Sequence, residues 1–167
     1  EQTLGDFKFL ILDNASTDRS REIVRNFLDS RIELVELERD LGQTGALNLG
    51  LGLVNTPYVA RMDADDISHP KRLERQVEFL LAHPQVALLG AGYEVIDLVG
   101  NVVMRYKLPF AHLEILKGML FENQFVHSGT VYLREAALRC GGYDTSYRHA
   151  QDYALWWRIG LAHEVAN

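Results

Sequence analysis

Three aspartates, Asp63, Asp65 and Asp66, lie together immediately after the apolar run Tyr58 to Met62. Carboxylates at i and i+2 in a turn can share one hard divalent cation, because Mg²⁺ and Mn²⁺ favour oxygen ligands. Such a cation neutralises a diphosphate and stabilises it as a leaving group. The same residues also read as a solvated acidic turn, with Ser68 capping a helix entered at Pro70. An EF-hand loop is excluded: Glu74 falls at its twelfth position from Asp63, but Ile67 and Ser68 stand where an oxygen ligand and a glycine are required. A second polar cluster, DNASTD, offers Asp13, Asn14 and Asp18 around a tight turn. Amide and carboxylate there suit a base and a ribose, or equally an Asx turn that caps the next helix.

Asp152, in HAQDYALWW, follows the turn Gly141-Gly142-Tyr143-Asp144. A carboxylate at a helix start beside aromatics suits a general base, and suits an ordinary N-cap as well. His127 in FVHSG is placed to line a pocket, although a lone histidine near a strand is more often structural. Trp156 and Trp157 read as core or as packing on an acceptor face. His69, His83, His112 and His149 lack zinc-ligand spacing. Ser128 lacks a GxSxG elbow. Gly42 and Gly45 in DLGQTGALN could bring backbone close to a phosphate, but GxGxxG and GxxxxGK are both absent.

The elements that must position these groups follow from apolar periodicity. Strands are expected at Phe7 to Leu12, Ile32 to Leu37, Tyr58 to Met62, Val86 to Ala91 and Phe125 to Leu133. Tyr93 to Ile96 and Val102 to Tyr106 flank Gly100-Asn101 and predict a hairpin. Helices are expected from Asp18 through Leu28, over Thr44 to Val54, after Pro70 through Leu81, and over His112 to Phe121, Arg134 to Arg139 and Asp152 to Leu161. Strand and helix alternate over the first ninety or so residues, the mark of an α/β sandwich with a mostly parallel sheet. In such a sheet ligands bind beyond the carboxyl ends of the strands. DNASTD and DADD both follow strands, so the two acidic loops should open on one rim.

Composition narrows the classes. The 167 residues suit one domain, and 47% apolar with 24% charged residues is ordinary globular usage. Seventeen basic against 23 acidic residues leave a net charge of −6. That balance argues against a nucleic-acid partner and against a polybasic membrane patch. The single cysteine, Cys140, forms no intrachain disulfide and fits a reducing, cytoplasmic setting. No apolar run reaches the length of a membrane span.

Taken in order and spacing, ILDNASTD, DLGQTGALNLGL, YVARMDADDISHPKRLERQ, FVHSG and GGYD…QDYALWWR resemble the family 2 glycosyltransferases over nearly the whole chain. ARMDADDISHPKRLERQ is the most specific part. The resemblance implies a GT-A-like, Rossmann-like α/β/α sandwich and an inverting, metal-dependent transfer from a nucleotide-diphospho-sugar to a carbohydrate or lipid-linked acceptor hydroxyl. It makes residues 1–92 the nucleotide-sugar half and 93–167 the acceptor-side half. Asp13 and Asn14 would contact the base. Asp63 and Asp65 would be the DxD pair, with Asp65 the first choice as ligand of Mn²⁺ or Mg²⁺. Asp152 would be the catalytic base, and His127, Gln151 and Trp156 would line the acceptor pocket.

Several departures bear on these roles. Asn14 stands where members often carry an aspartate that reads uracil, which leaves UDP, dTDP and GDP sugars all open. Leu47 replaces an arginine common in the ARN segment, and Gln151 replaces the usual glutamate before the base. The family's first apolar strand and its turn precede the point where this sequence starts, so the sheet is expected to show a gap, rearranged pairing, or a second copy of the chain filling the space. The acceptor-covering region beyond the last helix is also outside the sequence, and the full-length protein is expected in the cytoplasm at the inner face of the membrane. Two other classes remain open. One is a non-catalytic nucleotide-sugar or metal-binding domain. The other is a sugar-phosphate nucleotidyltransferase, which would need a glycine-rich basic loop for a triphosphate.

Overall fold

The computed structural model describes residues 2–167. Eight strands and six helices follow in the order β1 (Phe9–Asp13), α1 (Ser20–Arg25), β2 (Ile32–Glu36), α2 (Gly42–Leu53), β3 (Tyr58–Ala60), α3 (Arg72–Ala82), β4 (Val86–Leu89), β5 (Tyr93–Ile96), β6 (Val102–Tyr106), α4 (His112–Gly118), β7 (Val131–Leu133), α5 (Arg134–Arg139), α6 (Gln151–Ala162) and β8 (Glu164–Ala166). A 3-10 turn, His127–Gly129, precedes β7.

The centre is a four-stranded sheet in the order β3-β7-β4-β8. β4 reads VALL and is buried at every position, as a strand covered on both faces must be. One face carries Leu88, Tyr132 and Val165 against Leu51 of α2, Ile115 of α4, Ala137 of α5 and Leu155, Trp156 and Ile159 of α6. The other carries Val86, Leu89, Val131 and Ala166 against Leu80 of α3. Helices therefore cover both faces, and the expected α/β/α sandwich is present.

The sheet is mixed rather than mostly parallel. β7 runs antiparallel to both β3 and β4, while β4 and β8 are parallel. A parallel neighbour requires a full crossover connection. β7 instead follows α4 and the 3-10 turn and enters from the opposite end. The stretch expected as one strand over Phe125 to Leu133 is broken by that turn: Thr130 Oγ1 donates to the His127 carbonyl at 2.8 Å, leaving only three residues to pair. β8 is short and lacks a turn signal of its own, and it was not expected.

β1 and β2 form a separate parallel pair, Phe9 opposite Ile32 through Asp13 opposite Glu36. Among the described residues no ladder joins this pair to the central sheet, which is one of the three outcomes expected. What carries β1 is α2, which packs so close that a Cβ on Gly50 would lie 2.8 Å from Leu12 Cδ1. A glycine that weakens the helix by propensity thus lets α2 lie directly against the Leu12 side chain, which would have to move aside for a larger residue. α1 is shorter than its pattern, and Ile23, Phe27 and Leu28 are exposed. The hairpin β5–β6 has its expected ends, with Tyr93 and Tyr106 stacked at 4.6 Å. Among the described residues no helix is long and apolar enough to cross a membrane.

Candidate active site

The first loop of the site follows β1. Asp13 is buried, its carboxylate accepting from the Ser16 amide at 3.2 Å and from Arg21 Nε at 2.5 Å. Burial alone would raise its pKa, but the Ser16 hydrogen bonds and the Arg21 guanidinium outweigh that and hold it below the ordinary value. Asn14 Nδ2 donates to Asp40 Oδ1 at 2.5 Å, and its Oδ1 accepts the Leu41 amide at 2.9 Å. Asp40 in turn accepts the Gly42 amide. The two residues expected to meet the base therefore also pin their loop to α1 and to the start of α2. Ala15 follows at φ 63°, a left-handed conformation that costs a non-glycine residue of order 1 kcal/mol.

α2 then reaches the start of α6. Gln43 Oε1 accepts from Gln151 Nε2 at 2.8 Å, at the first turn of α6. Asn48 bonds the Tyr143 backbone in both directions, at 2.7 and 2.9 Å. Gly142, at φ 66°, lies under that clamp, and a Cβ there would sit 2.8 Å from Asn48 Oδ1. The Gly141-Gly142 turn is held by a helix almost a hundred residues earlier.

The second loop follows β3. Arg61 Nη2 donates to Asp63 Oδ1 and Nη1 to the Met62 carbonyl, while Arg61 Nε is buried with no partner. Ser128 Oγ donates to Asp66, tying this loop to the 3-10 turn. Asp65 is exposed, and among the described residues no hydrogen bond or ion pair engages its carboxylate. The chain thus supplies one free carboxylate and one held by an arginine. Among the described residues no group of three ligating side chains forms a cation site. A hard divalent ion held by one or two carboxylates and completed by substrate phosphate oxygens fits this donor set.

Asp152 and His127 complete the rim. Asp152 Oδ2 accepts from Asn123 Nδ2 at 3.1 Å, and Asn123 Oδ1 accepts the Phe125 amide, which fixes the amide's orientation. α6 begins after Ala150, whose φ of 61° is the second left-handed non-glycine conformation beside the site. His127 Nε2 lies 3.2 Å from Tyr143 Oη, which is 3.2 Å from Tyr132 Oη. Its pKa is lowered to about 4, first by burial and then by the Arg61 charge, with Asp152 and Asp63 opposing. At neutral pH the imidazole is therefore uncharged.

Two of the residues expected to line an acceptor pocket are buried. Trp156 is fully buried, packed against Tyr132 at 5.2 Å and under His127 at 6.0 Å. Its ring is needed to fill the core between α6 and β7. Gln151 is buried too and spends its amide on Gln43. Asn123, Arg61, Asp40 and Gln43 were missed as site residues. Arg61 and Asn123 lie within ARMDADD and FENQFVHSG, and their polar types beside those motifs were the available signal.

The glycosyl transferase family 2 pattern matches residues 1–142 of this chain. This chain belongs to glycosyl transferase family 2. It is 33% identical over 170 residues to the amylovoran biosynthesis glycosyltransferase AmsE of Erwinia amylovora, covering 100% of this chain and 63% of that protein. It is 30% identical over 160-odd residues to the Escherichia coli UDP-Glc:alpha-D-GlcNAc-diphosphoundecaprenol beta-1,3-glucosyltransferase WfgD, covering 95% of this chain and 60% of that protein. The mannosyltransferase PcManGT of Pyrobaculum calidifontis, solved with GDP-Man and Mn²⁺, superposes with a TM-score of 0.69 at 21% identity, over 96% of this chain and 45% of that one. That likeness shows a shared fold. The chain thus spans about three-fifths of the length of these two relatives.

Proposed function

We propose that this chain carries the donor site and catalytic base of an inverting glycosyltransferase that moves a sugar from a nucleotide-diphospho-sugar to an acceptor hydroxyl in polysaccharide or glycolipid assembly. One observation carries the reading: the 3-10 turn joins two distant parts of the chain, with Ser128 donating to Asp66 of the acidic loop after β3 and the neighbouring His127 ring packed on Trp156 of α6, the helix whose first turn carries Asp152. That junction supports placing the groups proposed for the diphosphate and for the acceptor on one rim.

Asp152 accepts the proton of the acceptor hydroxyl, with Asn123 holding its second oxygen. The acceptor oxygen bonds to the anomeric carbon from the face opposite the diphosphate. The bond from that carbon to the diphosphate breaks, and the diphosphate leaves with the electron pair. One displacement inverts the anomeric centre. A divalent cation, Mn²⁺ or Mg²⁺, supplies charge neutralisation of the diphosphate when bound. Asp65, with Asp63, would hold it. His127, held neutral by burial, adds no positive charge to the rim.

The relatives' names support this reading. WfgD is named for a UDP-glucose donor and a diphosphoundecaprenol-linked acceptor, and PcManGT was solved with GDP-Man and Mn²⁺. The base is therefore open among UDP, dTDP and GDP. A lipid-linked acceptor would place the full-length protein in the cytoplasm at the inner face of the membrane.

Inversion is read from the sugar product. Proton NMR of donor turnover, with water as acceptor if needed, should show an α-linked donor first released as the β-anomer. Release of the α-anomer would contradict a single displacement.

A further inference from the structure

Arg61 is a largely buried charged group of the rim whose hydrogen bonding is incomplete. Its side chain is 17% exposed and its partner Asp63 31% exposed, so the pair lies inside the mouth of the site. A guanidinium has five N–H donors in a rigid fork. Here Nη1 and Nη2 reach the Met62 carbonyl and Asp63, while Nε is buried and unpartnered. Burying an unsatisfied donor is unfavourable, so this arrangement leaves the fork short of the acceptors it could take.

The backbone at Arg61 is fixed. Its amide donates to the Thr130 carbonyl at 2.9 Å, and its carbonyl accepts from Arg72 Nη2 at 3.3 Å. Any change at this residue is therefore a swing of the side chain. Asp63 is one of the two carboxylates available to a cation, and the guanidinium occupies it as a cation would. Asp65 beside it is exposed and free.

We propose that Arg61 holds the Asp63 carboxylate in the empty site, is displaced from it by the divalent cation, and then turns its fork to the donor diphosphate. This rests on the donor-site reading above. Planar bidentate recognition of phosphate oxygens is what the guanidinium fork does best. The exchange keeps Asp63 paired with a cation throughout: arginine before loading, the divalent metal after it. It also supplies Nε with the acceptor it lacks.

The consequence is a pair of effects of opposite sign. Mn²⁺ binding is followed without nucleotide by the electron paramagnetic resonance of the free ion. Arg61→Met should bind Mn²⁺ roughly fivefold more tightly than the unaltered chain. The gain should vanish in Arg61→Met/Asp63→Asn. With Mn²⁺ saturating, affinity of Arg61→Met for the nucleoside diphosphate probes UDP, dTDP and GDP should fall about tenfold. In the unaltered chain, titration with Mg²⁺ and the nucleoside diphosphate should shift the Arg61 Nε–H resonance, assigned through Arg61→Lys. This keeps the test independent of whether Arg61→Met folds.

Unchanged or weaker Mn²⁺ affinity in a folded Arg61→Met would overturn the exchange. If Asp65→Ala still abolished Mn²⁺ binding, the donor-site reading would stand without it. An unmoved Arg61 resonance at saturation would overturn it equally. Absence of Mn²⁺ binding to the unaltered chain, with and without each nucleotide, would remove the donor-site reading and the exchange together.

Discussion

Asp152→Asn should lower sugar transfer by about 10²- to 10⁴-fold, the range ascribed to a positioned general base, while donor affinity stays unchanged. The substitution keeps size and shape, and the new side-chain oxygen can still accept from Asn123 Nδ2, which now lies 3.1 Å from Asp152 Oδ2. What it removes is the basic oxygen that takes the acceptor proton. The donor-side groups, Asp63 and Asp65, are untouched. Steady-state rates beside calorimetric donor binding separate the two effects. Turnover like that of the unaltered chain would remove Asp152 from the mechanism, and a parallel loss of donor affinity would make it a binding residue.

Trp156→Ala should destabilise the fold by about 3–5 kcal/mol, the usual cost of emptying a large aromatic site. In a chain of this size that lowers the melting temperature by roughly 10–15 °C. Trp156 has no exposed surface and packs against Phe125, His127, Tyr132 and Tyr143. Few neighbours can collapse into the space, because Tyr132 and Tyr143 are tied to each other and to His127 through their hydroxyls. Trp156→Phe should cost much less, since it keeps most of the ring and removes an indole N–H that is buried without a partner. Equal losses for alanine and phenylalanine, by thermal melting, would mean that volume is not what this residue supplies.

The readable part of the fold was its local part. The hairpin ends at Tyr93–Ile96 and Val102–Tyr106 and the helix Arg134–Arg139 match their patterns, because turn residues and periodicity are properties of adjacent positions. The direction of β7 is not such a property. It depends on which end of the sheet the chain enters from after α4, and VYL carries no trace of that. β8 pairs only three residues with β4 and is made by the central sheet rather than by its own composition. In α1 the apolar spacing was real, but Ile23, Phe27 and Leu28 stay exposed.

The site divides in the same way. Acidic loops after β1 and β3 were legible as a rim because strand ends and carboxylates are both visible in a sequence. Trp156 read as core or as packing on an acceptor face, and its type and position beside Asp152 could not separate the two. The register of α6 turns it inward. Gln43 with Gln151, and Asn123 with Asp152, are contacts over long stretches of chain between ordinary polar residues. Single positions of that kind carry no signal until the helices are packed.

The donor site is the claim on which the rest depends, and thermal stabilisation tests it most directly. The chain would be melted with UDP-, dTDP- and GDP-sugars, each with and without Mn²⁺, beside Asp65→Ala. A ligand at a hundred times its dissociation constant adds about 2.7 kcal/mol, a shift of several degrees. A manganese-dependent shift for one nucleotide, lost in Asp65→Ala, is the expected result and names the base. A shift of equal size in Asp65→Ala, or none with any nucleotide, would contradict a donor site built on Asp65.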